Sequence, residues 1–331
     1  MAEVSLTNIT KSFGTTRAVE DLTLTIDDGA FVVLLGPTGA GKTTTLRLIS
    51  GLDQPDQGDI HIGGQSVINE TPAMRNVAMV FQQYSLYPHM TVRDNLAFPL
   101  RSPMLRTPED EVVRKVDEVA EVLRIRHKLN DKATTLSGGE MQRVSIGRAL
   151  VRKPSIFLMD EPLSSLDAKL RADLRIELKR IHASLGATLL YVTHDQIEAM
   201  TMATSIGVLD QGRLVQFGTP RDVYENPVSL YVASRLGQPR INTLPADVFP
   251  GAPKGAMTIG LRPEHIQQYE GKPSEVTRVE HLGDQTRLHL TLEGHPIVTL
   301  TDVHTTLKPN DIISIQPRNA LYFDAQGHRI A

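Results

Sequence analysis

The sequence predicts an α/β layer followed by a small all-β segment, and three observations carry that prediction. Over residues 1–235, short β-branched or aliphatic runs alternate with longer amphipathic stretches, the order expected of a mostly parallel sheet faced by helices. One of those runs, Phe31–Leu35, leads directly into Gly36-Pro37-Thr38-Gly39-Ala40-Gly41-Lys42-Thr43, which fits G-x-x-x-x-G-K-[ST]. Past about residue 255 only short alternating segments remain, separated by turn residues.

The predicted strands of the α/β part are Val4–Ile9, Leu22–Ile26, Phe31–Leu35, Val77–Phe81, Ile156–Met159, Leu189–Thr193 and Ile206–Leu209. A helix is expected over Thr44–Ile49, directly behind the glycine-rich loop. Thr107 reads as a helix N-cap with Pro108 at the first helical position and acids behind it. Val112, Val113, Val116, Val119, Ala120 and Leu123 then make one apolar face. Leu170, Leu174, Leu178, Ile181 and Leu185 recur at helical spacing, so Arg171, Asp173, Arg175, Glu177, Lys179 and Arg180 read as a solvated surface. Gly237, Pro239, Pro245, Pro250, Gly251, Pro253 and Gly255 suggest a linker over 236–255. The β domain is expected over 256–331, with strands near Met257–Leu261, Thr286–Leu292, Ile297–Leu300 and Ile312–Gln316.

Composition removes whole classes of function. With 35 Lys plus Arg against 38 Asp plus Glu, the net charge of −3 excludes a strongly cationic scaffold that coats nucleic acid or acidic membrane. A chain 40% hydrophobic and 22% charged is too apolar to be mostly disordered. The absence of cysteine excludes disulfide frameworks, zinc–thiolate sites, iron–sulfur clusters and cysteine nucleophiles. No apolar run approaches the roughly 18 residues of a membrane span, and Met1–Phe13 lacks a signal core, so a soluble, unsecreted protein is expected.

The chemistry starts at the glycine-rich loop. Its backbone N–H groups would curl around phosphate oxygens at the N-terminus of the following helix, a run extending from Gly36 to Thr44. Lys42 would reach the β- and γ-phosphates, and the Thr43 hydroxyl would ligate Mg²⁺. The strand Ile156–Met159 delivers Asp160 and Glu161 at its carboxyl end. An acidic pair at a strand end is often only a turn; beside a phosphate loop, Asp160 reads as the Mg²⁺ ligand and Glu161 as the base that polarises water. Leu136-Ser137-Gly138-Gly139-Glu140 is both a capping box ahead of Met141–Leu150 and a glycine-bearing helix start suited to phosphate.

At this point the chain resembles the ATP-binding subunits of ABC transporters. The resemblance rests on an ordered set: Phe13, residues 36–43, Gln82, Leu136–Glu140, Asp160-Glu161, Ser165-Leu166-Asp167 and His194. It implies a P-loop ATPase with a helical subdomain at about 83–150 that carries the signature, plus a C-terminal OB-like domain. It implies that Phe13 stacks on adenine, that Gln82 contacts Mg²⁺ and water and links the site to a membrane partner, and that His194 contacts the γ-phosphate. Asp167 matches the loop that passes communication between two sites, and Ser137 and Gly139 match residues that close on the γ-phosphate of the opposite protomer. The departures are small: Glu140 stands where many members have Gln, and Thr38 and Ala40 replace other small residues.

Gln82–Leu96 is similar to importer subunits, in which it lines a groove for a short permease helix. Glu161–Arg171, Val192–Met200, Gly218-Thr219-Pro220, Tyr224–Pro227 and Gly260–His265 resemble the carbohydrate-importer branch. The resemblance therefore implies a homodimer that hydrolyses ATP with Mg²⁺ at the cytoplasmic face of the inner membrane. Its partners would be two permease subunits and, indirectly, an extracytoplasmic solute-binding protein, with no nucleic acid. The alternative is a soluble ABC-type ATPase acting on nucleic acid or ribosomes, and a third option is a non-transport NTP-binding switch. A single motif set, with no long coiled coil between Thr43 and Ser137, disfavours the alternative. The signature and His194 disfavour the switch. The solute is not legible, because selectivity in such systems lies in other chains.

Overall fold

A computed structural model describes residues 2–103 and 105–330, so Met1 and Ala331, the outermost positions of the expected segments, lie outside the described residues. The chain folds as two units, Met1–Pro220 and Arg221–Ala331. In the first, six strands run in the order Arg213–Gly218, Ser205–Asp210, Phe31–Leu35, Leu189–Thr193, Ile156–Asp160 and Val77–Val80. All of these pair in parallel except Arg213–Gly218, which forms an antiparallel edge. Phe31–Leu35, Ile156–Asp160 and Leu189–Thr193 are buried at every position, which is why they read as continuous apolar runs and not as alternation.

A second, antiparallel sheet orders Thr16–Ile26, Val4–Phe13, Gln57–Ile62 and Gln65–Ser66. The predicted Val4–Ile9 and Leu22–Ile26 are parts of these longer strands. Gln57–Ile62 escapes sequence reading because only Ile60 and Ile62 are apolar in it. Helix Lys42–Ser50 places Leu46, Leu48 and Ile49 in one core with strand residues of both sheets, which fixes the glycine-rich loop at its head. Arg75, itself buried, donates to the carbonyls of Leu48 and Ile49 and satisfies the far end of that helix.

Helices Val92–Ala97, Glu109–Val122 and Gly138–Leu150 occupy the stretch expected to be helical. Two details differ. Thr107 is not the N-cap: Pro108 takes that position without a side-chain hydrogen bond, and Glu109, Asp110 and Glu111 complement the helix start instead. Val113 faces solvent, while Val112, Val116, Ala120 and Leu123 are buried.

The second unit begins at Arg221, not after residue 235. Arg262, almost fully buried, donates from Nη2 to the Tyr224 carbonyl at 3.0 Å and from Nη1 to the carbonyls of Ala233, at 3.1 Å, and Leu236. Those bonds tie helices Pro220–Glu225 and Leu230–Arg235 to the β domain. Nor is 236–255 an unstructured linker. Asn242–Pro245 pairs with Thr258–Leu261, and Ile241, Leu244, Val248 and Phe249 are buried. The strand tolerates Pro245 because it is an edge strand and the proline comes last.

Two four-stranded antiparallel sheets share this unit's main core. One orders Asn242–Pro245, Thr258–Leu261, Leu321–Phe323 and Arg329–Ile330; the other orders His295–Thr301, Thr286–Leu292, Ile266–His281 and Ile312–Pro317. The long strand Ile266–His281 is hidden in the sequence by Gly271, which sits at a break in its register, and by Pro273 just past it. Among the described residues no helix is long and apolar enough to cross a membrane.

The boundary has a measurable consequence. A fragment ending at Pro220 should unfold cooperatively and retain ATP binding. A fragment ending at residue 235 should be more protease-sensitive over 221–235, because Val223, Val232 and Ala233, all buried in the whole chain, lose their cover. Limited proteolysis of the fragment ending at 235 beside the whole chain, with nucleotide titration of both fragments, checks this; equal protection of 221–235 in the two would place the boundary at 235.

Candidate functional site

Parallel pairing sets Leu35 opposite Thr193, Asp160 opposite Val192 and Val80 opposite Met159. The chain therefore leaves four adjacent strands at one edge, as Gly36, His194, Glu161 and Phe81-Gln82. That carboxyl edge is where α/β sheets bind ligands. The sheet order, not any local motif, assembles these residues.

Within the loop, Gly41 has φ +97°, and a Cβ there would lie 2.4 Å from the Ala18 carbonyl oxygen, so the position requires glycine. Gly36 is hemmed in by the Leu209 carbonyl, and Gly39 also has positive φ. Ala40 turns its methyl into the core, leaving only its backbone to the loop. Thr38, Gly39 and Thr43 are exposed, and Pro37 and Thr44 are partly so.

Lys42 is buried and donates from Nζ to the carbonyls of Gly36 and Pro37, each at 2.9 Å. Burial lowers its pKa, against the opposing charges of Glu161 and Asp160. Its ammonium thus spans the loop without a carboxylate hydrogen bond, an arrangement suited to phosphate. Thr43 Oγ1 donates to Asp160 Oδ1 at 2.9 Å. Burial raises the Asp160 pKa, the Thr43 hydrogen bond lowers it, and Glu161 raises it further. A cation between these hard oxygens would relieve the buried carboxylate, and a hydroxyl–carboxylate oxygen pair fits Mg²⁺.

Glu161 adopts φ +43° and its amide donates to the Val192 carbonyl at 3.0 Å. Its carboxylate Oε2 lies 3.2 Å from His194 Nδ1, and the histidine side chain is 61% exposed. Gln82 is exposed and its amide reaches Ser164 Oγ at 3.5 Å, the outer limit of a hydrogen bond.

The remaining expected residues have other partners. Phe13, at the end of its strand, is 49% exposed with Lys11 Nζ 5.4 Å from its ring centroid, so it presents an open aromatic face. Ser137 and Glu140 form the capping box: the Ser137 amide and hydroxyl each donate to Glu140 Oε2 at 2.8 Å, and the Glu140 amide donates back to Ser137 Oγ at 3.4 Å. Gly139 packs against Leu170, whose side chain would have to shift to admit a Cβ, 2.5 Å from its methyl. Asp167 caps helix Ala168–Leu185 by accepting from the Leu170 amide.

The geometry reveals positioning residues that periodicity hides. Arg171 is not a solvated charge: it donates to the carbonyls of Leu163, Ser164 and Leu166, and lies 3.7 Å from Asp195. Glu177 likewise pairs with Arg143 at 3.1 Å in a half-buried setting. Buried Glu198 accepts from Tyr191 at 2.9 Å and Thr193 at 2.6 Å, and Thr193 Oγ1 accepts from the Asp195 amide. Residues on both sides of His194 are held in this way. The segment after Val80 also lines an apolar-walled groove of about 630 Å³, with Phe81, Tyr84, Phe98, Arg101 and Arg148 in its wall.

A phosphate loop, an Asp-Glu pair, a paired histidine and a capped glycine-bearing helix on this sheet define a P-loop ATPase of the ABC type. Residues 19–164 match the ABC transporter family model, and residues 259–324 match the TOBE domain. The sn-glycerol-3-phosphate import ATP-binding protein UgpC of Ruegeria pomeroyi is 44% identical over 310 residues, covering 89% of this chain and 88% of that protein. The lactose transport ATP-binding protein LacK of Rhizobium radiobacter is 40% identical over 364 residues, with full coverage of both. Among solved structures, the dimeric MJ0796, a bacterial ABC transporter cassette, matches with TM-score 0.59 and 30% identity over 66% of this chain and 99% of that one. The ADP conformation of the cassette MJ1267 matches with TM-score 0.62 and 26% identity over 70% and 98%. The chain belongs to the ATP-binding subunits of ABC transporters, and its activity is ATP hydrolysis coupled to transport.

Replacing Arg171 by Ala should cost about 1–3 kcal/mol in urea unfolding, because three carbonyls lose a charged donor. Arg180→Ala, on the exposed face of the same helix, should stay within about 0.5 kcal/mol. Equal effects would return Arg171 to the solvated surface.

Proposed function

We propose that this chain energises an importer for a sugar, polyol or sugar derivative, working as a homodimer docked on two membrane permease chains. It would act at the cytoplasmic face of the membrane, supplied indirectly by an extracytoplasmic solute-binding protein. The observation that carries this reading is the shared edge: the strand end that leads to Gln82 also leads into the groove wall, so a partner seated there adjoins the hydrolytic residues. Similarity to UgpC and LacK along almost the whole chain supports the solute class. An ATPase acting on nucleic acid or ribosomes is disfavoured by both relatives and by the net charge of −3.

In this reading Gly36–Thr44 cradle the triphosphate, with Lys42 on the β- and γ-phosphates and the Phe13 ring against adenine. Thr43, Asp160 and Gln82 would hold Mg²⁺, which when bound supplies charge neutralisation to the phosphates. Glu161 takes the proton of the attacking water and His194 orients the γ-phosphate. Ser137, Gly139 and Asp167 act across the dimer.

Glu161→Gln keeps the shape and loses the base. Turnover should fall about 10²–10⁴-fold with ATP affinity retained, and an ATP-bound dimer should accumulate on gel filtration. Near-normal hydrolysis would refute the base assignment. Lys42→Ala should instead weaken Mg-ATP binding in titration calorimetry; unchanged affinity would remove the loop from the nucleotide site. Co-purification with two hydrophobic permease chains, followed by uptake of a solute panel into vesicles, tests the transport assignment. ATPase activity with no permease association would sink it.

A further inference from the structure

The side chain of Tyr84 touches three parts of the ATPase unit at once. Its ring lines the groove beside Phe81 and Arg148. Its hydroxyl lies 3.1 Å from Ser165 Oγ. The same hydroxyl lies beside the start of helix Gly138–Leu150, where a Cβ on Gly138 would come within 3.2 Å of it. Ser165 adjoins Ser164, whose amide and hydroxyl both donate to the Glu161 carbonyl, at 3.2 and 2.9 Å. Glu161 itself sits at φ +43°, a conformation that a non-glycine residue holds only when its surroundings impose it. The direction of its carboxylate therefore depends on how the loop behind it is anchored. Arg171 holds that loop from the helix side, through the carbonyls of Leu163, Ser164 and Leu166. Tyr84 holds it from the groove side, with the longer Gln82–Ser164 contact beside it.

We propose that Tyr84 is a positioning residue for hydrolysis. Its hydroxyl fixes the 161–167 loop through Ser165, sets Glu161 to take the proton of the attacking water, and ties that setting to the segment seated in the groove. The groove half rests on the proposed docking of a permease; the Ser165 half does not. Because Lys42 and Thr43 bond elsewhere, Tyr84 should govern turnover and leave ATP affinity alone.

The test is a double-mutant cycle in the full-length chain with Tyr84→Phe, Ser165→Ala and the pair. Each single change should lower kcat about 2–10-fold, the scale of one neutral hydrogen bond, with KM for ATP within about twofold and unchanged unfolding temperature. The pair should lose no more than one single does. Multiplicative losses, wild-type kcat in Tyr84→Phe, or a loss confined to KM would overturn the proposal. The chain has no cysteine, so Ala73→Cys places one thiol on the groove wall, where Ala73 is exposed. Alkylation with a bulky maleimide should shift kcat when Tyr84 is present and leave it unmoved in Tyr84→Phe. Equal shifts in both backgrounds, or none in either, would overturn the relay. A non-additive cycle in a chain that never associates with permeases would support the Ser165 link while counting against the importer reading, which keeps the two failures apart.

Discussion

The pairing of Leu189–Thr193 between Phe31–Leu35 and Ile156–Asp160 is the constraint on which the rest depends. It requires three strands distant in sequence to be buried on both faces, and each supplies a run of apolar side chains to do so. In return it fixes the loop at 36–43, Glu161 and His194 side by side without any motif that links them along the chain. A register slip of one residue would shift these side chains by about 3.3 Å along the shared edge and exchange the apolar side chains packed on the sheet's two faces. Selection on the core and selection on the site therefore act on the same pairing.

That arrangement concentrates charge where burial is costly. Lys42 and Asp160 are both nearly inaccessible, and burial disfavours the ionised form of each. Their mutual attraction and the Thr43 hydroxyl offset part of this, but neither makes a direct ion pair among the described residues. On the proposed function, a triphosphate with its cation would supply the missing counter-charges on both sides at once. The site is thus built to be more comfortable occupied than empty, in the same way that binding to the folded state alone stabilises it.

Much of this was legible in the sequence because the signals are strong and local. Phe31–Leu35 and Leu189–Thr193 carry no polar interruption but a terminal threonine, and the glycine loop has a fixed spacing, so their bounds could be read directly. The misses share a cause, which is that tertiary partners override local pattern. Arg171 falls on a polar face by periodicity, yet the turn before its helix brings three carbonyls to it. Arg262 lies inside a motif that resembles a family signature, but nothing local announces that it holds helices more than 25 residues upstream. The prolines of 236–255 suggested a linker because proline breaks helices and central strands; at an edge strand's last position it breaks neither.

Glu140 shows how a small departure acts on the site through a cap. Its carboxylate receives both the amide and the hydroxyl of Ser137, a stronger cap than the neutral glutamine common at this position would make. The same negative charge stands at a helix start that, on the proposed function, faces a γ-phosphate, and so works against the anion. Two features reduce that penalty: Lys128 Nζ lies 3.6 Å from Glu140, and the helix N-terminus contributes about 0.3–1 kcal/mol toward nearby negative charge. Approach of a phosphate would then compete with Glu140 for the Ser137 hydroxyl, which must swing away from its own carboxylate to donate outward. On that reading, closing across the dimer would break a charge-assisted bond that the single protomer keeps, which would favour opening once the γ-phosphate is gone.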